Sequence, residues 1–187
     1  PVFAERPSRL LSMHDNLKNT PGLYLVGFMG CGKSTVGKLL AKHLGWDFID
    51  LDAEIEKEAN AKIAEIFEQH GEAVFRSMER SALLHQTAQV KAGAPRVIAL
   101  GGGAFAQSGN RKTVDASGLS IWIECQFEEL WRRVYRSTNR PLAHRREAFE
   151  ALYKERRPYY EKASFRVMSG PDDPETVVTK IIELSIL

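Results

Sequence analysis

The sequence has little cysteine, no long apolar run and no large excess of charge of one sign, and each shortage excludes a class of protein. Its two cysteines, Cys31 and Cys125, are far apart, so they form no metal-type pair and suit a reducing cytosol. No apolar stretch approaches the roughly 20 residues of a membrane span. The 26 basic residues nearly balance 24 acidic ones, so no overall field favours nucleic acid. We expect a cytoplasmic protein with neither membrane nor nucleic acid as a partner.

The 187 residues suffice for one α/β domain with a buried sheet. Strand-like runs alternate with helical stretches, which predicts a five-stranded parallel sheet with helices on both faces. The strand predictions are 23–27, 47–51, 96–100, 119–124 and 165–168. Residues 1–21 show no regular period, and we interpret them as a surface arm, with an organellar transit segment as the open alternative. The folded domain is predicted to be 22–187.

Residues 27–34, GFMGCGKS, match the complete phosphate-loop pattern G-x-x-x-x-G-K-[ST] between a predicted strand and a predicted helix. Glycines let such a loop turn consecutive N–H groups towards phosphate oxygens, and the helix that follows adds its positive end. Lys33 can reach terminal phosphates, and the Ser34 hydroxyl can ligate Mg²⁺. A glycine-rich turn that matches by chance is the alternative, but the context favours binding of a nucleoside triphosphate.

Two further predicted strands end in residues that suggest chemistry. Asp50 and Asp52 follow the second strand, and 101–103 are three glycines after the third. The carboxyl ends of parallel strands meet at one edge of a sheet, so these residues are predicted to share a site with the phosphate loop. The purely structural alternatives are strand termination for Asp50, a helix N-cap for Asp52 and simple flexibility for the glycines. We favour water-mediated magnesium binding and contact with an acceptor hydroxyl for the aspartates, and close backbone approach to a ligand for the glycines.

Arg76 follows Phe75 near the start of a long helical stretch that reaches about residue 89. A lone arginine on a helix is usually solvated, but the apolar neighbours of Arg76 favour an inward, paired side chain. Glu79 lies three residues later and is positioned to brace it.

Two interpretations of the Cys31 thiol inside the phosphate loop are open. Loop N–H groups, the helix N-terminus and Lys33 would lower its pKa at a partly accessible position. Packing against the sheet would instead raise the pKa and leave the thiol inert. We favour the first slightly, and so expect alkylation of Cys31 before Cys125, slowed by bound nucleotide.

Taken together, these motifs resemble the shikimate kinase family, in family order over about 22–185. The pieces that carry the resemblance are the phosphate loop, Asp50-Leu51-Asp52, Phe75-Arg76, the triple glycine at 101–103, Arg140-Pro141-Leu142 and Arg156-Arg157-Pro158 with Tyr160. The resemblance implies the three-layer P-loop kinase fold. It also implies ATP-dependent phosphorylation of the 3-hydroxyl of shikimate, in chorismate and aromatic amino-acid biosynthesis.

The resemblance also assigns roles. Those implied for ATP binding fall on Gly30, Cys31, Gly32, Lys33, Ser34, Thr35, Arg133 and Arg140. Within that group Lys33 contacts the transferred phosphoryl group, Arg133 lies against adenine and Arg140 closes from a lid. Ser34 and Asp50 are the implied magnesium residues. The residues implied for shikimate are Asp52, Arg76, Gly101, Gly102, Gly103 and Arg156. Asp52, Lys33 and Arg140 are the implied catalytic set.

The chemistry of these residues agrees, because a guanidinium fork suits a carboxylate and an aspartate suits a hydroxyl. Whether Asp52 is the general base or only positions the hydroxyl stays open. After Arg140 the chain departs from the family pattern, so we expect a short lid around 139–147. Acidic residues in 170–174 leave the adenine contacts there open. The competing functions are a related small-molecule kinase of the gluconate type and a catalytically silent binding protein. We expect a monomer.

Overall fold

The computed structural model describes residues 22–135, 146–171 and 173–184. Its sheet has five parallel strands in the order β2-β3-β1-β4-β5. The strands are β1 Gly22–Val26, β2 Asp47–Asp50, β3 Arg96–Ala99, β4 Leu119–Cys125 and β5 Phe165–Ser169. All five predicted strands are therefore confirmed, with ends that move by one residue.

The central strand β1 is buried on both sides, which explains its unbroken apolar sequence. Its residues from Leu23 to Val26 are at most 1% exposed. Parallel strands covered on both faces show such continuous apolar runs, whereas half-exposed strands alternate. The one polar side-chain atom in this run, the Tyr24 hydroxyl, is paired with the Ser117 hydroxyl at 2.7 Å.

Helices cover both faces of the sheet, as the three-layer prediction requires. The seven α-helices of the described residues are α1 Lys33–Leu44, α2 Leu51–Ala59, α3 Ile63–Lys91, α4 Ser108–Asp115, α5 Phe127–Tyr135, α6 Arg146–Tyr160 and α7 Pro174–Ile182. Helices α1 and α7 pack on each other and on the sheet, while α4 packs on α3 and β4. A short 3₁₀ turn, Ala104–Ala106, follows the triple glycine.

The start of helix α2 is set by Asp50 and not by Asp52. The Asp50 carboxylate accepts the Ala53 N–H at 3.4 Å and caps the helix, which starts at Leu51. The cap is thus Asp50, and the capping alternative considered for Asp52 is wrong. Helix α3 is two helical stretches separated by Gly71, whose φ of 76° is in the region that glycine tolerates.

The order of the strands creates a crevice at the carboxyl end of β1. From β1 the chain runs to the edge strand β2 and back to β3, and then crosses to β4 on the other side. A loop after such a central strand lies where connections diverge, which is where open α/β sheets bind ligands.

Several predictions fall on other parts of the chain. The arm 1–21 and the lid prediction around 139–147 lie outside the described residues, except that 146–147 begin α6. Arg140 is outside them too. No helix of the described residues is long and apolar enough to cross a membrane.

Candidate active site

A cleft of about 1680 Å³ lies at the carboxyl edge of the sheet. It brings together every predicted site residue that the structure describes. These lining residues are Gly30, Cys31, Gly32, Lys33, Ser34, Thr35, Asp50, Asp52, Arg76, Gly101, Gly102, Gly103, Arg133 and Arg156. A single cleft of this size can hold a nucleotide and a small second substrate together.

The phosphate loop has the backbone its sequence predicts. Gly30 and Gly32 have φ of 84° and 100°, which side chains rarely adopt. Gly32 precedes α1 without any side-chain cap, so the first N–H groups of that helix remain available to an anion. The Lys33 ammonium donates to the carbonyl oxygens of Gly27 and Phe28 at 2.9 and 3.2 Å. The Lys33 side chain therefore lies across the loop, where it is predicted to contact the terminal phosphates.

Aromatic packing anchors the loop from beneath. The Phe28 ring is 2% exposed and meets Phe149 and Tyr153 edge-on, with ring centroids 5.0 and 5.4 Å away. Both partners belong to α6, the helix that also carries Arg156. The phosphate loop and the helix that carries Arg156 are thus packed directly against each other.

The expectation of a partly accessible Cys31 thiol is wrong. Cys31 is 1% exposed. Its sulfur lies 3.0 Å from the point where a Gly27 Cβ would be, and 3.9 Å from Lys33 Nζ. The Cys31 side chain packs inward, into the space that Gly27 leaves. The Cys31 thiol is therefore not available to a ligand, and the Cys31 N–H donates to the Phe28 carbonyl at 3.2 Å.

The Ser34 hydroxyl and the Asp50 carboxylate lie together beside the loop, where their oxygens could act as metal ligands. The Ser34 hydroxyl donates to Asp50 Oδ2 at 2.5 Å. No group of three or more acidic, cysteine or histidine side chains suited to a metal occurs in the described residues. A hydroxyl and a carboxylate nevertheless fit Mg²⁺, which takes oxygen ligands and keeps several waters or phosphates.

The triple glycine makes room for three functional side chains. A Cβ on Gly101 would overlap the Asp52 carboxylate, one on Gly102 would lie 3.2 Å from Arg156 Nη1, and one on Gly103 would lie 2.7 Å from both terminal nitrogens of Arg76. The sequence suggested close approach of a ligand here, but the structure adds a second reason for glycine. Any side chain in the turn would displace a charged group.

The predicted brace of Arg76 is confirmed. Glu79 accepts from Arg76 Nη1 with both oxygens, at 3.0 and 3.1 Å, and Glu72 accepts from the other edge of the guanidinium at 3.1 and 3.2 Å. Glu79 is 1% exposed, and that burial raises its pKa, with Arg76 opposing the shift and the nearby Asp52 adding to it. The guanidinium is therefore held in one orientation beside the glycine turn.

Arg133 lies beside the phosphate loop, held by a residue that the sequence reasoning missed. Glu129 accepts from Arg133 Nε at 2.6 Å, and Arg132 and Arg133 together lower the pKa of Glu129 to about 2. Arg133 also donates to the carbonyls of Gly30, at 3.3 Å, and Gly170. The i, i+4 spacing of Glu129 and Arg133 was the available signal.

Comparison with known proteins adds independent findings. A family model described as shikimate kinase matches residues 29–185. Shikimate kinase of Ruegeria pomeroyi is 42% identical over 162 residues, which are 85% of this chain and 80% of that protein. The chain belongs to the shikimate kinase family. The predicted family is thereby confirmed.

Solved structures agree with this membership. Shikimate kinase from Acinetobacter baumannii, in complex with shikimate, is 35% identical with a TM-score of 0.83, covering 91% of this chain and 96% of that one. A gluconokinase from Sinorhizobium meliloti has 14% identity and a TM-score of 0.52 over 87% of this chain and 90% of that one, which shows the shared fold alone. As a shikimate kinase family member, the chain is an enzyme with ATP as co-substrate.

Proposed function

We infer that this shikimate kinase family member transfers a phosphoryl group from ATP to the 3-hydroxyl of shikimate, a step of chorismate and aromatic amino-acid biosynthesis. One observation carries the choice of substrate. Asp52, Arg76 and Arg156 converge on the triple glycine, which we take as the acceptor end of a cleft that the phosphate loop also lines. This acceptor end presents two guanidinium groups and a carboxylate, which match a small acid that bears hydroxyls.

At the donor end, the phosphates of ATP lie against the loop N–H groups and the start of α1. Lys33 turns from the carbonyls of Gly27 and Phe28 to the phosphoryl group in transfer. Phosphoryl transfer needs alignment and cancellation of charge that spreads over the phosphate oxygens. Lys33 supplies part of that cancellation. Arg140, outside the described residues, supplies more on the family pattern, and Arg133 borders the adenine.

For magnesium we propose Ser34 as a direct ligand and Asp50 as a partner through water. Both groups already share a hydrogen bond, so they are within reach of one ion. When bound, Mg²⁺ would neutralise negative charge on the terminal phosphates. The chain's own part is to orient those phosphates beside the loop.

At the acceptor end, Arg76 and Arg156 clamp the carboxylate of shikimate. Charge-assisted, forked hydrogen bonds of this kind fix orientation as well as affinity. Asp52 then faces a hydroxyl, accepting its proton or aligning it for attack on the phosphorus atom. The buried Glu79 keeps Arg76 in place throughout.

A coupled assay of ADP release, with shikimate, quinate and gluconate side by side, tests this proposal. We expect turnover with shikimate to exceed that with either other acid by at least two orders of magnitude in kcat/KM. A preference for gluconate would establish the runner-up kinase function. Binding of shikimate without ADP release would establish a silent binding protein. We also propose a cytoplasmic monomer, for which sedimentation velocity should give a single species of about 21 kDa.

A further inference from the structure

Tyr160, the last residue of α6, is a buried polar residue that the steps above do not use. Its side chain is 1% exposed, and its ring lies beside Trp122 with centroids 6.3 Å apart. The Tyr160 hydroxyl donates to the carbonyl oxygen of Gly102, 58 residues away in sequence. A buried phenol thus touches the middle of the glycine turn.

The same hydroxyl also meets Arg156, one helical turn earlier on α6. Arg156 Nη1 and the Tyr160 oxygen lie 3.2 and 3.8 Å from the position of a Cβ on Gly102, so the guanidinium and the phenol meet at the same glycine. A hydroxyl offers one donor together with acceptor lone pairs. Burial raises the pKa of Tyr160, so the hydroxyl keeps its proton and donates to the Gly102 carbonyl, which leaves its lone pairs available to the nearby Arg156 guanidinium.

The bond to Gly102 orients a neighbouring donor as well. In a trans peptide the carbonyl of one residue and the N–H of the next point in opposite directions. Fixing the Gly102 carbonyl towards Tyr160 therefore turns the Gly103 N–H away from Tyr160. Among the residues that the structure describes, that N–H has no acceptor in the protein, and the Arg76 guanidinium packs against the Cα of Gly103.

We propose that Tyr160 is a positioning residue for the acceptor substrate. Its hydroxyl joins the Arg156 guanidinium to the Gly102–Gly103 peptide, so that both donor groups meet one bound shikimate in a fixed relative position. This inference rests on the proposed function, because it names shikimate as the molecule so positioned. Without the hydroxyl, the Arg156 guanidinium keeps its charge and the Gly102–Gly103 peptide keeps its dipole. The contact that holds them in a fixed relative position is lost.

The test is Tyr160→Phe, which removes one oxygen and keeps the ring. We expect the KM for shikimate to rise roughly 10-fold, which is the loss of about one hydrogen bond. The KM for ATP should stay within about twofold. Direct calorimetric titration with shikimate in the absence of nucleotide should show the same loss.

Tyr24→Phe is the matched control. It removes an equally buried phenol oxygen, whose partner Ser117, at 2.7 Å, does not line the cleft, whereas Gly102 does. Both variants should lose similar thermal stability, but only Tyr160→Phe should weaken shikimate. Equal changes in the two KM values, or the same shikimate loss in Tyr24→Phe, would assign Tyr160 a merely structural role and overturn the proposal.

A second measurement keeps the inference testable if Tyr160→Phe does not fold. In ¹⁵N-labelled wild-type protein, shikimate should shift the Gly103 amide resonance, and an unchanged resonance at saturation would overturn the proposal. An active wild type with an unaffected Tyr160→Phe overturns this inference alone. A wild type that neither binds nor phosphorylates shikimate overturns the proposed function, and the inference with it.

Discussion

Replacing Arg76 with lysine probes the acceptor end of the cleft most sharply, because it keeps the charge and removes the fork. The guanidinium is 20% exposed and is fixed by Glu79 on one edge and Glu72 on the other. It lies against Gly103, where a substrate carboxylate is proposed to bind. An ammonium is a point charge that cannot hold these two carboxylates and a third in one plane.

The expected magnitude follows from one lost charge-assisted hydrogen bond. Such a bond contributes about 1.5–3 kcal/mol, and each 1.4 kcal/mol is about tenfold in affinity. Arg76→Lys should therefore weaken shikimate binding by about 10- to 150-fold. We propose that ATP contacts the phosphate loop and not Arg76, so its dissociation constant should change by less than about twofold. Some thermal stability should also be lost, because the lysine ammonium would pair less well with the buried Glu79 carboxylate than the guanidinium does.

Calorimetric titrations of shikimate and of a non-hydrolysable ATP analogue measure both effects on folded protein. Arg80→Lys is the control, because Arg80 is on the same helix but donates to Gly109 and Thr113, at 2.8 and 2.7 Å, outside the cleft lining. It should leave both affinities unchanged. Equal weakening of both ligands by Arg76→Lys, or an equal shikimate loss in the control, would refute the assignment.

Three other perturbations address the remaining parts of the account. Asp52→Asn should lower turnover by roughly 10²–10⁴-fold at saturating substrates if Asp52 is the general base, and a change of only a few-fold would leave it a positional role. Glu129→Gln should loosen Arg133 and raise the KM for ATP several-fold while the KM for shikimate stays constant. Steady-state kinetics with each substrate varied measure both values, and an unchanged KM for ATP would contradict the role of Glu129. Neither Cys31 nor Cys125 should react readily with iodoacetamide in the native protein, since both are buried and burial raises the pKa of Cys125 to about 11, leaving about one thiolate in a thousand at pH 8. Peptide mapping that finds rapid labelling of native Cys31 would contradict its buried position.

The fold and the membership of the site were accessible from the sequence because both depend on local patterns. Apolar runs located the strands. The carboxyl ends of parallel strands lie at the same edge of the sheet in any strand order, so the site could be predicted without that order. The Arg76–Glu79 pair was predictable for the same reason, since residues three apart on a helix are neighbours. Glu129 and Arg133 obey that rule too.

What sequence reasoning missed depends on contacts between distant segments or on the direction of one side chain. The Cys31 side chain is buried because Gly27 leaves space for it beneath the loop. The periodicity of the sequence does not reveal such a space. The contact between Tyr160 and Gly102 joins α6 to the turn after β3. The choice between Asp50 and Asp52 as helix cap turned on a shift of the helix start by two residues, finer than a pattern resolves.

The central claim, that the phosphoryl group reaches the 3-hydroxyl of shikimate, is tested most directly by identifying the product. Protein, ATP, Mg²⁺ and shikimate would be incubated to completion and the product studied by ³¹P–¹H correlation NMR. The account predicts one phosphomonoester whose phosphorus couples to the proton on carbon 3, formed in equal amount to ADP. Coupling to a proton on carbon 4 or 5, or ADP released without phosphorylated shikimate, would contradict it.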